Sequence, residues 1–342
     1  MSKIDRLANA ADRMGVWGPW RALRSRLPLQ WLTILTYHRV HPCVHDYLFD
    51  CGVIDVAPAA FEQQMALIAA ECTPVGLPAL RAFLAGEQLP PNPVLVTFDD
   101  GYRDNYTTAL PILRRHGIPA IFFVATDYID ARRLFWWDKL NYLLKTTPRP
   151  HLTLEYPVRL DFELPAQREE AIRSLLRLIK TQYRLDVPRL LDELTLASGL
   201  DWDEARERRL ADDLLMTWDD LRSLQAAGME VQCHTATHRP LHTLVTSELV
   251  ADLALGRRQL QQQLGHAPDA LALPVGSPIQ GLPSVRRAIE RAGFRFAFTN
   301  RTGVVPLGSA NPLHLQRIAI DCDWSMAHYR AVVHLPLPAR SA

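Results

Sequence analysis

Two histidines four residues apart, His234 and His238, are the first indication of chemistry in this chain. On a helical turn this spacing puts both rings on one face, where they can reach a single ion. Imidazole nitrogen is a preferred ligand for zinc and similar metals. The pair alone is a weak signal among 12 histidines, so its interpretation depends on what else lies beside it.

Two adjacent carboxylates, Asp99 and Asp100, directly follow the apolar run 94–98. Active sites of α/β barrels collect at such strand ends, and burying carboxylates without partners is unfavourable. Because neighbouring residues of extended chain point in opposite directions, we expect a division of roles. One aspartate completes a His-His-Asp metal site and the other acts as a base, while Gly101 allows a sharp turn. The alternative is a helix N-cap, supplied by Asp100 or Asp104, followed by a solvated acid.

This set of residues predicts a hydrolase. Three protein ligands leave positions on a metal ion open for water and substrate. The ion lowers the pKa of bound water towards about 7, and a neighbouring carboxylate can accept the proton. The combination suits amide or ester hydrolysis and needs no nucleophilic serine; the sequence has no G-x-S-x-G elbow.

The elements that must position these residues alternate between strand and helix. The run 94–98, a helix over 105–116 ended by Gly117, and a strand over 120–125 form one unit of a parallel α/β fold. An earlier strand is predicted at 31–37. After residue 216 the pattern resumes, with elements predicted at 217–228, 229–233, 247–264, 270–273, 284–292, 294–298 and 315–320.

The stretch from about 130 to 215 is different, because it is rich in charge and poor in buried strands. Alternating apolar residues over 152–164 predict a half-exposed strand pair that bends near Pro157. The spacing from Ile172 to Ile179 predicts an amphipathic helix, and a second helix is expected from about Pro188. We interpret this stretch as a mainly helical insertion.

Composition excludes several classes of function. A formal net charge of +1 argues against nucleic acid as a partner. Five scattered cysteines without a C-x-x-C pair argue against a disulfide framework and a cysteine zinc site. No apolar run approaches the roughly 18 residues that span a bilayer, and charges interrupt the first 27 residues where a signal peptide needs an apolar stretch. The expectation is a cytoplasmic protein.

Residues 1–30 form a basic amphipathic segment in which Ile4, Leu7, Ala11 and Met14 recur at helical spacing. One interpretation is an interfacial helix that makes peripheral contact with an anionic membrane. The other, which we favour at this point, is a helix packed on the surface of the domain.

Two motifs are similar to those of a known family. The segments 97–102 (Thr-Phe-Asp-Asp-Gly-Tyr) and 234–238 (His-Thr-Ala-Thr-His) resemble the first two motifs of the polysaccharide deacetylases, the NodB-homology domain of carbohydrate esterase family 4. The resemblance covers about 31–126 and 217–320 and is interrupted by the insertion. It includes the segments 35–40, 109–113, 117–120 and 122–126.

The resemblance implies a distorted (β/α)7-type barrel over 31–330, interrupted by the insertion at about 130–215 and followed by a C-terminal tail at 331–342. It implies one divalent metal ion, expected to be zinc, with Asp100, His234 and His238 as ligands and Asp99 as base. The implied substrates are N-acetylated sugars in polysaccharides, oligosaccharides or lipid-linked glycans.

The later family motifs are altered here. Ala272 stands where many members have an arginine that orients the base, and no Leu-x-x-x-His-Asp motif, the usual source of the general acid, is evident. We hypothesise that Arg317 pairs with Asp99 and replaces that arginine. His314 and His328 are weak candidates for the acid.

Three further residues are predicted to face the substrate. Tyr102 ends the first motif, and His38 follows the first strand. For His38 the alternative, which we weigh equally, is a core histidine with its hydrogen bonds satisfied. Val275 can help to hold the oxyanion through its backbone N–H, a role that needs no side chain.

Two other functions stay open. The first is hydrolysis of another C–N bond, such as deformylation of an amino sugar. The second is non-catalytic carbohydrate binding on a decayed deacetylase fold, which the altered later motifs would suit. The complete set of Asp99, Asp100, His234 and His238 opposes this, because a binding protein needs no base beside a metal.

Overall fold

The computed structural model describes residues 3–24, 26, 31–42, 44, 46–164, 166–276 and 279–336. In chain order its strands are β1 (Trp31–Tyr37), β2 (Arg39–Val40), β3 (Ile54–Val56), β4 (Thr73–Pro74), β5 (Pro93–Phe98), β6 (Ala120–Val124), β7 (His151–Leu154), β8 (Leu160–Glu163), β9 (Glu230–Cys233), β10 (Ala270–Ala272), β11 (Phe296–Phe298), β12 (Val305–Pro306) and β13 (Ile318–Ala319).

The helices alternate with these strands over most of the chain. They are α1 (Lys3–Arg13), α2 (Trp17–Arg24), α3 (Pro58–Glu71), α4 (Leu77–Leu84), α5 (Leu110–Arg115, preceded by a wider turn over Asn105–Ala109), α6 (Thr126–Ala131), α7 (Trp136–Thr146), α8 (Arg168–Thr181), α9 (Val187–Ser198), α10 (Glu204–Leu214), α11 (Trp218–Ala226), α12 (Thr246–Leu264), α13 (Pro283–Arg291) and α14 (Met326–His334).

The main sheet curls into a barrel. Its parallel strands follow the order β11-β10-β9-β6-β5-β1. On the free side of β1, Leu35 pairs with Ile318 of β13, while Leu315 bridges to Phe298 of β11. The segment 315–319 therefore joins both ends of the sheet as a seventh strand of the described barrel. The predicted α/β fold, a distorted (β/α)7-type barrel with a mainly helical insertion, is confirmed.

The pleat of the strands decides which residues face the barrel interior. Ile34, Leu95, Phe123 and Phe298 share one cluster, against which α4 also packs. The alternate residues pack against the surrounding helices in a second cluster. Continuing the inward-facing rows past the strand ends gives Asp99 after β5, His234 after β9 and Arg317 in the closing segment, so these three meet at one end of the barrel.

The segment between β6 and β9 has a core of its own. Leu152 and Leu154 are buried in the hairpin of β7 and β8, and Pro157 lies in its connection. Helix α9 begins at Val187 with Pro188 in its first turn and Asp186 as its cap. The predicted strand pair and both predicted helices are therefore present.

The two ends of the chain pack against each other. Ala8 and Trp17 from α1 and α2 form a buried cluster with Ala327 and Ala331 of α14. The predicted tail from 331 begins inside α14, whose Val332 and Val333 are buried, so that boundary is wrong. Residues 1–2, 25, 27–30 and 337–342 of the terminal segments lie outside the described residues.

Two compositional expectations can be compared with the structure. The described cysteines, Cys51, Cys72, Cys233 and Cys322, are free thiols, whereas Cys43 lies outside the described residues. No helix in the described ranges combines the length and the apolar character needed to cross a membrane.

Candidate active site

Asp99 is fully buried at the end of β5, where its backbone N–H donates to the carbonyl of Tyr37. Arg317 donates to both of its carboxylate oxygens, from Nη1 to Oδ1 at 2.8 Å and from Nη2 to Oδ2 at 2.6 Å. Burial alone would raise the pKa of Asp99, but the arginine charge outweighs it and holds the pKa below its usual range. Asp99 is therefore ionised and fixed in orientation.

Arg317 uses all of its donors. Its five N–H groups match five acceptors: the two Asp99 oxygens, the Thr299 carbonyl, Thr97 Oγ1 and Asn300 Oδ1. Its guanidinium also lies 5.6 Å and 5.9 Å from the ring centroids of Phe123 and Phe298. A buried cation satisfied in this way is rigid.

Asp100 faces the same way as Asp99 because the backbone turns sharply. Strand alternation would send it outwards, but Asp100 and Gly101 take φ values of 76° and 105°. An L-residue rarely adopts this conformation. A Cβ at position 101 would lie 3.2 Å from Ile129 and 3.3 Å from Val124, so this close approach and the positive φ both favour glycine there. The turn directs Asp100 Oδ1 to within 3.4 Å of His234 Nε2 and 3.3 Å of His238 Nε2.

His234 and His238 do not lie on a helix, contrary to the sequence-based expectation. They stand at the two ends of a tight turn over 234–238, in which Thr235 and His238 have φ values of 65° and 50°. The buried carboxylate of Asp252 accepts the backbone N–H groups of Ala236 and Thr237 and so holds the turn. The two rings still converge, with centroids 4.6 Å apart. The turn, not helical spacing, brings them together.

Asp100, His234 and His238 could hold a metal ion. Their ligand atoms all lie within 4.8 Å of one another, and all three residues are buried. Asp100 Oδ1 has no hydrogen-bond donor among the described residues. His234 Nδ1 lies 2.9 Å from the carbonyl of Ala272, which leaves Nε2 for the site. One carboxylate and two imidazoles suit zinc, so the residues fit the implied ion.

The titration of these ligands agrees with that fit. Burial would raise the pKa of Asp100, but both histidines act against it and hold the pKa well below its usual range. Burial and the neighbouring His234 lower the pKa of His238. An ionised carboxylate and a neutral imidazole are the forms that bind a metal.

His38 lies opposite this cluster. Its Nδ1 is 3.1 Å from Asp55 Oδ2, and its backbone N–H donates to the same oxygen. Burial opposes the charged ring, but Asp55 outweighs it and raises the pKa of His38 to about 10. Because Asp55 occupies Nδ1, Nε2 is the ring nitrogen left for the cavity. The raised pKa favours the protonated ring, in which both nitrogens are donors.

A cavity of about 210 Å³ joins the catalytic candidates. Besides Asp99, Asp100, His38, His234 and His238, it is lined by Asp50, Gly52, Val53, Trp136, Trp137, Lys180, Val275 and Asn300. The insertion supplies both tryptophans and Lys180, so it forms one wall of the cleft. A larger cavity of about 670 Å³ is lined by Thr237 and Asp252 but by none of the proposed catalytic or metal-binding residues.

Val275 reaches this cavity from a strained turn. It has a φ of 61° and is partly exposed. The adjacent Gly276 packs so tightly on Asn300 that an added Cβ would lie 2.3 Å from the asparagine Cβ. Asn300 in turn accepts from Arg317. The position predicted for an oxyanion contact is therefore coupled by packing to the base.

Tyr102 was predicted to face the substrate, and the structure contradicts this. Its side chain is fully buried; its hydroxyl donates to Asp138 Oδ2 at 2.7 Å and accepts from Trp137 Nε1 at 2.7 Å. Trp137 packs on His238, with ring centroids 4.4 Å apart. Tyr102 therefore supports His238 indirectly, through Trp137 of the insertion.

Sequence reasoning missed Asp138, Asp55 and Lys180. Burial raises the pKa of Asp138 to about 7. An acid directly after two tryptophans, Trp136 and Trp137, was the available signal for Asp138.

The two weak candidates for the general acid lie outside the catalytic cavity. His328 forms a hydrogen bond with Asp5 and stacks on Trp324. His314 does not line the catalytic cavity.

The fold and the cluster of two aspartates and two histidines define a class, and the comparisons agree. The family model for polysaccharide deacetylase matches residues 86–297. This chain belongs to the polysaccharide deacetylase family.

The chain is also similar to three individual proteins. The poly-beta-1,6-N-acetyl-D-glucosamine N-deacetylase of Escherichia coli K12 is 33% identical over 89 residues, which are 25% of this chain and 13% of that protein. The Streptococcus pyogenes deacetylase PplD, solved with acetate, matches with a TM-score of 0.59 and 18% identity over 90% of this chain and 100% of that one. IcaB from Ammonifex degensii matches with a TM-score of 0.57 and 21% identity over 89% and 97%. At these identities the structural matches show the fold.

Proposed function

We propose that this protein hydrolyses the N-acetyl group of a sugar in a polysaccharide, an oligosaccharide or a lipid-linked glycan precursor. The observation that carries the proposal is the Asp99–Arg317 pair beside the Asp100, His234 and His238 cluster. The name of the E. coli relative makes β-1,6-linked N-acetylglucosamine oligomers the first substrates to test.

Asp100, His234 and His238 would hold one divalent ion, with zinc expected. When bound, such an ion polarises the amide carbonyl and lowers the pKa of water. The remaining steps belong to the protein. Asp99, kept ionised by Arg317, accepts a proton from the attacking water. The backbone N–H of Val275 stabilises the developing oxyanion.

His38 is the proton donor in this proposal. Water first adds to the carbonyl carbon, and the C–N bond breaks when this tetrahedral adduct collapses. The departing amine needs a proton at that point. His38 is protonated and borders the cavity, with Nε2 free of Asp55. The products are acetate and the free amino sugar. The cavity of about 210 Å³ suits a short acyl group.

The test is acetate release from N-acetylglucosamine oligomers by the metal-stripped and zinc-reloaded protein. Asp99→Asn should bind zinc and release almost no acetate, whereas exposed Asp213→Asn should behave as wild type. Formate release from N-formyl sugars would favour a deformylase. Zinc binding with no acyl release from any substrate would favour the carbohydrate-binding alternative.

A further inference from the structure

The helices α1 and α2 and the turn between them expose large apolar side chains to solvent. Leu7 and Met14 are 73% and 72% exposed, and Leu23 and Val16 are 52% and 36% exposed. Leu7 lies in α1 and Leu23 in α2, whereas Met14 and Val16 lie in the turn that joins the two helices. The inner faces are already used, because Ala8 and Trp17 pack on α14.

These side chains are concentrated in one short segment of the chain. The described residues include twelve exposed large hydrophobic side chains, and four of them fall between positions 7 and 23. Single exposed hydrophobics are ordinary on protein surfaces, whereas contiguous ones mark interaction sites. We name the outer face formed by Leu7, Met14, Val16 and Leu23 the N-terminal patch.

Around the N-terminal patch the acidic side chains pair with the rest of the protein, whereas basic side chains are exposed to solvent. Asp5 bonds to His328 at 2.9 Å and Asp12 to Arg330 at 2.6 Å, so both acids turn towards the protein. Arg6, Arg13 and Arg26 are exposed. The surface that α1 and α2 present to solvent is therefore apolar and positive, although the whole chain has a net charge of only +1.

We propose that the N-terminal patch docks this protein on an anionic lipid surface. Leucine and methionine side chains would enter the acyl boundary, and the arginines would reach phosphate headgroups, as in interfacial helices. A second copy of the chain suits the patch less well. Two-fold pairing would bring the exposed arginines of both copies into one interface, where like charges repel.

Docking in this way leaves the catalytic cleft open. The Arg24 guanidinium at the end of α2 lies 3.6 Å from the ring centroid of Trp31, the first residue of β1. The catalytic groups lie past the other end of that strand. The proposal is therefore independent of the deacetylase proposal, and each can fail alone.

The experiment is flotation of the full chain with phosphatidylcholine vesicles, with and without phosphatidylglycerol. Wild type should float only with the anionic vesicles. The variant Leu7→Gln/Met14→Gln/Leu23→Gln should bind on the order of a thousandfold less, since burying each large apolar side chain is worth about tenfold or more. Leu196→Gln, at an 82% exposed leucine in α9, is the matched control and should bind as wild type.

The arginines give a second readout. Arg6→Gln and Arg13→Gln should each weaken binding about fivefold, and added salt should weaken wild-type binding. Acetate release from soluble oligomers should be unchanged in every patch variant. Failure of wild type to float, or equal flotation of the triple variant, overturns the proposal. So does a dimer in solution that the triple variant abolishes, because the occupant would then be a second copy.

Discussion

Arg317 clamps both carboxylate oxygens of Asp99, at 2.8 and 2.6 Å, across 218 positions of sequence. The arginine comes from the segment that closes the barrel and the aspartate from the strand beside β1. Closure of the fold and orientation of the proposed base are thus achieved by the same contact.

We expect Arg317→Lys to shift the acid limb of the pH–rate profile to higher pH. The guanidinium lowers the pKa of Asp99, and the base works only when ionised, so a weaker partner raises the pH at which activity appears. Lysine cannot reproduce the five-donor geometry, and kcat/KM should fall by about 100-fold. Exposed Arg173→Lys should leave the profile unchanged. An unshifted acid limb in Arg317→Lys would remove this role.

Substitutions of Asp99 and Asp100 should have different effects on zinc binding. Asp100→Asn is expected to lose most of its zinc, because the residue is a proposed ligand. Asp99→Asn should retain zinc while losing activity, because the residue is the proposed base. Zinc content by mass spectrometry and acetate release together distinguish the roles. Equal zinc loss in both variants would contradict the division.

His38→Gln should lower kcat by about 10²–10⁴-fold, the usual range for a general acid. Asp55→Asn tests the same role through the pKa of His38, which Asp55 raises to about 10. Removing that carboxylate lowers the pKa, so the alkaline loss of activity should begin at lower pH. His314→Gln is the control and should keep the wild-type profile. A profile unaltered in Asp55→Asn would count against His38 as donor.

Asp138 should make the protein less stable as pH rises from about 4 to about 7. Its pKa is raised from 3.8 to about 7 in the folded state, so in this window the folded state binds more protons than the unfolded state, and stability falls with pH. The effect is present in wild type and absent in Asp138→Asn. Thermal unfolding of both proteins at several pH values measures the difference, with Asp213→Asn as control. Parallel curves for wild type and Asp138→Asn would refute the prediction.

Much of the fold could be predicted because its signals are local. Apolar residues alternate over 152–164 and predict the hairpin of β7 and β8 that forms there. Thr217 and Asp220 form the capping box that starts α11. The strands 31–37 and 94–98 were predicted closely because continuous apolar runs are typical of buried parallel strands. The tail from 331 was misjudged because α14 is buried by α1 and α2, which are distant in sequence.

By itself the sequence determined which chemical groups are present and where along the chain they stand. Asp99 and Asp100 after a strand, and His234 and His238 after another, were enough to predict a hydrolytic site. Tertiary structure alone decided how these side chains are oriented and which partners surround them. The positive φ of Asp100 orients its carboxylate towards the two histidines. Tyr102 is buried away from the cleft, where its hydroxyl donates to Asp138. Asp55 raises the pKa of His38. Each depends on partners brought together by packing across the barrel, which residue type and spacing do not encode.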